Sequence, residues 1–310
     1  MKVKNAGADN AHIQNTDIHA DDYALSPNAS EDILKCIKAG KLDSISVLTN
    51  MSCYDEYAVR YLEESRTFEK HPLLSVHLNF MEGHCRAAKE KVPDLVDNRG
   101  YFNISWGKLF LWNYCPWRYR RIKEELKAEI KAQTEAYIQY FGKEAPLRFD
   151  GHQHTQMIPI VYRALFEVIR EEAYSAEYIR VTKEPILPFL KKTSLWKTYR
   201  PVNWIKNLLL NFFALGMEGK LAEKITGQPR MFLWGVVLSG HMDAQRVGAL
   251  LPSMKAHAAG KERTLEILFH PGISFDEEMG EEFISEGANE FYRSKGRQEE
   301  YQTVMTLKMQ

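Results

Sequence analysis

The chain has 310 residues, enough to bury a large core in one domain, and its 45% hydrophobic and 26% charged residues are ordinary for a soluble globular protein. Forty-one basic residues balance 41 acidic ones, so no net field draws the whole molecule toward nucleic acid or an anionic membrane. No apolar run approaches the roughly 18 residues of a membrane span; with no signal-peptide pattern in "MKVKNAGADNAHIQ" and no CxxC pair among Cys36, Cys53, Cys85 and Cys115, reduced thiols and a cytoplasmic setting are expected.

After a polar extension over residues 1–15, strand-like and helix-like segments alternate. "TDIHA" leads into "SPNASEDILKCIKAG", where Ser26 is a natural N-cap, Pro27 suits the first helical position and Gly40 ends the helix. "SISVL" follows, then a helical stretch from Tyr54 to Phe68 and the apolar "LLSVHLNF". Ile122, Leu126 and Ile130 repeat at four-residue spacing in a long amphipathic helix that Gly142 closes. "LRFDGHQH" precedes the helix "PIVYRALFEVIREEA", and "YIRV", "MFLWGVVL" and "TLEILF" each lead into another helical segment.

About seven strands alternating with helices predict a parallel sheet. Polar residues gather where strands end: "ADD", "HLN", "GHQH", "SGHMD" and "HPG". A barrel collects all its strand C-termini at one mouth, where chemistry is usually found. A single-domain α/β fold, a distorted (β/α) barrel with about seven parallel strands, is therefore expected. The segment Pro201 to Gly216 breaks the rhythm with an apolar face of Trp204, Leu208, Leu209, Phe212 and Leu215. It reads as a helix packed on the barrel or a lid, or as a segment that covers an apolar or lipid-like substrate or touches a membrane surface.

The stretch "LRFDGHQHTQMIP" places Asp150, His152 and His154 at period two, on one face if the strand continues. Unpaired carboxylates and imidazoles gain nothing from burial, so the pattern is either a satisfied polar cluster or a metal or catalytic site. Asp21 and Asp22 form an adjacent pair whose mutual repulsion a divalent cation would relieve. His77 sits in an otherwise apolar strand with Asn79 on the same face. One aspartate and two histidines from separate strand ends make a facial three-ligand set with open positions.

In order and spacing, "HADDYALSPNASEDILKCIKAGKLDSISVLTNM", "SVHLNFMEG", "RFDGHQHTQMIP", "SGHMD" and "LFHPG" resemble the YdjC/ChbG-like carbohydrate deacetylases, over roughly Asp17 to Phe275. The resemblance implies a metal-dependent hydrolase that removes acetyl from an N-acetylated sugar, on a barrel related to polysaccharide deacetylases. It implies Asp22, His77 and His152 as metal ligands, Asp21 as general base and His270 as general acid or orienting partner. It also makes a homodimer reasonable. His154, Asp150, Asn79, Arg180 and His241 are expected to contact substrate or orient the ligands, Arg180 either at the mouth or paired with a carboxylate. Ligand softness argues for Zn²⁺, the resemblance for Mg²⁺, which is placed first.

The chain departs from the family pattern at Tyr23-Ala24, usually Phe-Gly, at Gly151, often serine, and at Gln156, usually histidine. Alanine tolerates positive φ less well than glycine, so the turn after "ADD" is expected to shift. The sugar or glycolipid substrate stays unnamed. Two rival readings remain: a metal-dependent hydrolase of another amide or ester, and a non-catalytic sugar-binding protein using Trp112, Trp117 or Trp234. No glycine-rich phosphate loop or basic-aromatic stripe indicates nucleotide or nucleic acid.

Overall fold

The computed structural model describes residues 16–224 and 230–308; the polar extension at 1–15 lies outside the described residues. Seven parallel strands form one sheet: β1 (Thr16–Tyr23), β2 (Ser44–Leu48), β3 (Leu73–Leu78), β4 (Leu147–Gly151), β5 (Ala176–Ile179), β6 (Met231–Trp234) and β7 (Thr264–Phe269). Their spatial order is β5-β4-β3-β2-β1-β7-β6, the cyclic order of a barrel opened between β5 and β6. The Leu233 N–H donates to Lys183 O at 3.0 Å across that opening. The expected distorted barrel is the fold observed.

Ten α-helices are described: α1 (Pro27–Lys38), α2 (Tyr54–Ser65), α3 (Trp106–Trp112), α4 (Pro116–Phe141), α5 (Pro159–Glu171), α6 (Leu187–Lys191), α7 (Pro201–Lys224), α8 (Ala244–Ala259), α9 (Glu286–Tyr292) and α10 (Lys295–Thr306). The start of α1 is as read: Ser26 is extended and its hydroxyl accepts from the Ala29 N–H. In α4, Ile122, Leu126 and Ile130 are fully buried at the four-residue spacing read from the sequence. All four cysteines are free thiols, and no described helix is long and apolar enough to cross a membrane.

The strands differ from ordinary barrel strands on their inner faces. Branched apolar side chains usually fill a barrel interior. Here the alternate positions Asp17, His19 and Asp21, Ser44 and Ser46, Ser75 and His77, with Asp150, Arg180 and Glu266, are polar and buried. Most of them are joined by hydrogen bonds and ion pairs, while the Ser75 hydroxyl has no partner. Ser44 Oγ donates to Asp17 Oδ1 at 2.6 Å and lies 2.6 Å from His19 Nδ1. His19 Nε2 is 2.7 Å from Ser46 Oγ, which donates to Asp150. Apolar packing lies instead between the sheet and its helices, so the barrel axis is given over to charge.

Two expectations are corrected. The strand carrying the histidines stops at Gly151, and His152–Met157 forms a tight 3-10 segment with Gln153 (φ 53) and His154 (φ 59) left-handed. The period-two face therefore ends before His152, which reaches the centre from a turn. In α7, the buried residues are Asn207, Leu210, Phe213, Ala214 and Met217; of the face read from the sequence, Trp204 and Leu209 pack against the core, while Leu208, Phe212 and Leu215 are exposed.

Candidate metal centre

The centre begins with an irregularity in β1. Adjacent residues of a regular strand point to opposite faces, yet Asp21 and Asp22 both line one cavity. The pairing of β1 with β2 shifts between Ala20 and Tyr23, and Asp22 has φ 71. This bulge re-aims Asp22 toward the axis. Ala24 follows at φ 68, a left-handed conformation that costs alanine roughly 1–2 kcal/mol. The alanine adopts this conformation in spite of its Cβ.

His77, one residue from the end of β3, is fixed through its far nitrogen: Nδ1 lies 2.6 Å from Asp150 Oδ1. With that nitrogen carrying the proton, Nε2 presents a lone pair 3.6 Å from Asp22 Oδ1 and has no hydrogen-bond partner. His152 Nδ1 lies 2.9 Å from the same Asp22 oxygen. Its Nε2 is 2.7 Å from the Tyr292 hydroxyl, which donates to Glu82 at 3.4 Å. Both imidazoles are thus oriented from behind by buried carboxylates, Asp150 directly and Glu82 through Tyr292, as metal-ligating histidines generally are. Burial pushes the Glu82 carboxyl up to about 8.

One ligand atom from each of Asp22, His77 and His152 lies within 4.8 Å of the others, and all three residues are buried. Arg297 Nη1 donates to Asp22 Oδ2 at 2.7 Å, so Oδ1 is the oxygen left facing the histidines. Burial disfavours a charged His77, yet Asp21 and Asp150 outweigh it and push the imidazole up to about 10. Positive charge is strongly favoured at this point. Around it, the carboxylates of Asp21, Asp22, Asp150 and Glu266 face the guanidiniums of Arg180 and Arg297. The orphaned His77 Nε2, the Asp22 oxygen turned toward both histidines and the excess of carboxylates fit a divalent cation.

Arg180 pairs with carboxylates, the second of its two expected roles. Its Nη1 donates to Asp21 Oδ1 and Oδ2 at 2.9 and 3.1 Å, Nη2 is 3.2 Å from Asp150 Oδ2, and Nε is 2.7 Å from Glu266 Oε1. Burial opposes ionisation of Asp21, but Arg180, with His77 and His19, holds it well below the usual carboxylate range.

A cavity of about 310 Å³ opens on the centre, lined among others by Asp21, Asp22, His152, His154, Lys206 and His270. His270 follows β7, with its backbone N–H donating to Glu300 Oε2 at 2.5 Å and its ring edge-on to Phe291. His154 lies 3.2 Å from Thr182 Oγ1, and burial with the Lys206 charge holds it neutral, well below the ordinary histidine range. Asn79 and His241 are not among the lining residues. Asn79 Oδ1 accepts from the Met81 and Glu82 N–H groups and its amide donates to Glu82 O, fixing the turn that carries Glu82. His241 is half-buried in the loop before α8, which Asp243 caps.

The two departures at Gly151 and Gln156 are one packing event. A Cβ on Gly151 would meet Gln156 Oε1 at 2.9 Å and Gln156 N at 3.1 Å. The glutamine amide occupies the space a serine at 151 would use. Sequence reading did not single out His19, Glu82, Lys206, Tyr292 or Arg297. His19 was findable from the period-two polar residues of β1; Tyr292 and Arg297 lie on α9 and α10, where no motif marks them.

Curated proteins similar to this chain share one name, carbohydrate deacetylase. The Danio rerio protein is 26% identical over 56% of this chain, a match spanning 51% of that protein, about half its length. The Homo sapiens protein is 26% identical over 82% of this chain and 74% of its own, and the Oceanobacillus iheyensis protein 23% over 86% and 88%. Among solved structures, one from Enterococcus faecalis V583, described as a cellobiose-phosphate cleavage protein, superposes with a TM-score of 0.60 at 16% identity, covering 94% of this chain and 90% of that one. That likeness concerns the fold. The YdjC-like protein family model matches residues 17–310, beyond the span to Phe275 read from motifs and through Tyr292 and Arg297. The chain belongs to the YdjC-like protein family.

Proposed function

We propose that the chain is a carbohydrate deacetylase, hydrolysing the acetamide of an N-acetylated sugar to acetate and a free amino sugar. The observation that carries this reading is the convergence of Asp22, His77 and the otherwise unpartnered His77 Nε2 with His152 beside a cavity that also holds Asp21 and His270. Asp22, His77 and His152 would hold a divalent cation, which supplies Lewis acidity toward the amide carbonyl and toward water at that position. Two imidazoles favour Zn²⁺ on ligand chemistry; the family resemblance points to Mg²⁺.

Arg180 keeps Asp21 ionised and fixed, ready to take the proton of the attacking water. The same ion pair makes Asp21 a weak base, so its role depends on that water being acidified. His270, at the β7 side of the cavity, gives a proton to nitrogen as the C–N bond breaks. His154 and Lys206 face the substrate from the remaining walls. Water adds its oxygen to the acetyl carbon and gives one proton to Asp21, the departing nitrogen takes one from His270, and return of the Asp21 proton to His270 through solvent closes the cycle.

Purified protein incubated with N-acetylated sugars, O-acetyl esters and other N-acyl compounds tests the reading through acetate release. Release from the N-acetylated sugars, abolished by a chelator and restored by Mg²⁺ or Zn²⁺, is the expected result. Hydrolysis confined to the other compounds, or sugar binding without acetate, would overturn it.

A further inference from the structure

Helix α7 packs Leu210, Phe213, Ala214 and Met217 on the barrel and carries a second apolar face outward. Asn203, Asn207 and Asn211 recur every four residues and point inward: Asn203 donates to Val237 O at 3.1 Å, Asn207 to the buried Glu184 carboxylate and Asn211 to Glu184 O. The opposite side carries Val202, Ile205, Leu208, Phe212 and Leu215, at three- and four-residue spacing and between 54% and 71% exposed. Next to it, Phe110 of α3 packs on Phe213 at 5.9 Å. Beyond α3, Tyr114 shares a groove of about 1130 Å³ with Phe212 and Leu215, lined also by Arg163, Glu167 and Arg170, and Trp117 stands 83% exposed. A contiguous apolar surface of this kind marks an interaction site.

The charges around it select the partner. Residues 105–123 hold Lys108, Arg118, Arg120, Arg121 and Lys123 with no acidic residue, and residues 185–217 hold Lys191, Lys192, Lys197, Arg200 and Lys206, again with none, in a chain of zero formal charge. Arg121 and Lys123 are paired with Asp94, Glu125 and Glu167, whereas Lys108, Arg118, Arg120, Lys197 and Arg200 make no ion pair among the described residues. Pairing this face with itself about a two-fold axis would set basic rim against basic rim. An anionic bilayer complements both features: exposed aromatic and aliphatic side chains enter the headgroup boundary while lysines and arginines meet the lipid charge.

We propose that the outer face of α7, with the α3–α4 corner, is a peripheral docking surface for an anionic lipid bilayer. The helix lies on the surface and does not span it. Ile205 of the stripe is followed by Lys206, which lines the metal-centre cavity and so stands apart from the basic rim, and one helix thus borders both the docking face and that cavity. Where the deacetylase reading holds, this suits a sugar carried on a lipid.

Sedimentation with phosphatidylcholine vesicles, with and without 30 mol% phosphatidylglycerol (about that fraction giving a strongly anionic surface), tests the proposal without reading catalysis. The full chain should bind the anionic vesicles, and less as salt rises. Leu208→Glu with Phe212→Glu, and separately Lys197→Glu with Arg200→Glu, should each weaken binding by about tenfold or more, with folding checked by circular dichroism. Because these side chains are exposed, both variants should fold. Absence of binding to either vesicle, or equal binding by folded variants, would overturn the proposal. So would a wild-type dimer that the Leu208→Glu, Phe212→Glu variant dissolves, since a second copy would then cover the face.

Discussion

Two buried clusters with the same kinds of ligand lie side by side on the barrel axis, His19 with Asp21 and Asp150, and Asp22 with His77 and His152. In the first, the Arg180 guanidinium bonds both oxygens of Asp21 and reaches Asp150, so the cation is part of the chain. In the second, Arg297 takes only Asp22 Oδ2, and His77 Nε2, with no hydrogen-bond partner, stands 3.6 Å from the Asp22 Oδ1 that faces His152. Residue types alone do not separate a metal centre from a structural ion cluster. What separates them is whether neighbouring side chains have already supplied the counter-charge.

The contrast is sharpened first by the residue that joins the clusters. Asp21→Asn keeps the hydrogen-bonding shape but removes the base, and should lower acetate release by about 10²–10⁴-fold while leaving the cation bound. Steady-state turnover beside a metal-content assay checks this. Wild-type turnover in the variant would mean that Asp21 belongs only to the structural cluster.

Breaking the first cluster should cost stability. Arg180→Met leaves Asp21, Asp150 and Glu266 buried without their shared partner, a loss of about 3–5 kcal/mol in urea unfolding at neutral pH. The pH dependence then reverses. In the wild type, burial opposes ionisation of Asp21 and Asp150, but Arg180 and His77 outweigh it and hold both below the ordinary aspartate value of about 3.9. Their contribution is therefore complete above that value and fades as pH falls through their folded range. Without Arg180, burial dominates, the carboxyls favour their protonated form, and the variant should lose further stability as pH rises from acid to neutral. A variant as stable as the wild type at neutral pH would show that Arg180 is not the counter-charge.

The smallest effect lies beside Asp22. Ala24→Gly relieves a left-handed alanine at φ 68 and should raise stability by about 0.5–1 kcal/mol after glycine's entropy cost. An unchanged or lowered melting temperature would mean that the turn is held without strain.

How much of this was legible in the sequence follows the same division. Asp21, Asp22, His77, His152 and His270 sit at strand ends in short motifs, and parallel strands in cyclic order bring such ends to one mouth. The alternating strands and helices likewise announced the barrel. Arg297 and Tyr292 were not legible, because they reach the centre from α9 and α10, and nothing local distinguishes a buried arginine from a surface one. His154 was misleading: its spacing from His152 suggested a strand face, whereas left-handed Gln153 and His154 end the alternation. The exposed stripe of α7 was hidden by the reverse problem, since apolar periodicity shows that a face exists but not whether it turns inward.

The most direct test is anomalous diffraction from crystals grown with Zn²⁺, or with Mn²⁺ standing in for Mg²⁺. A single peak bounded by Asp22 Oδ1, His77 Nε2 and a ring nitrogen of His152, lost in His77→Ala and kept in Asp21→Asn, is the expected result. A peak among His19, Asp21 and Asp150, or none at either cluster, would contradict it.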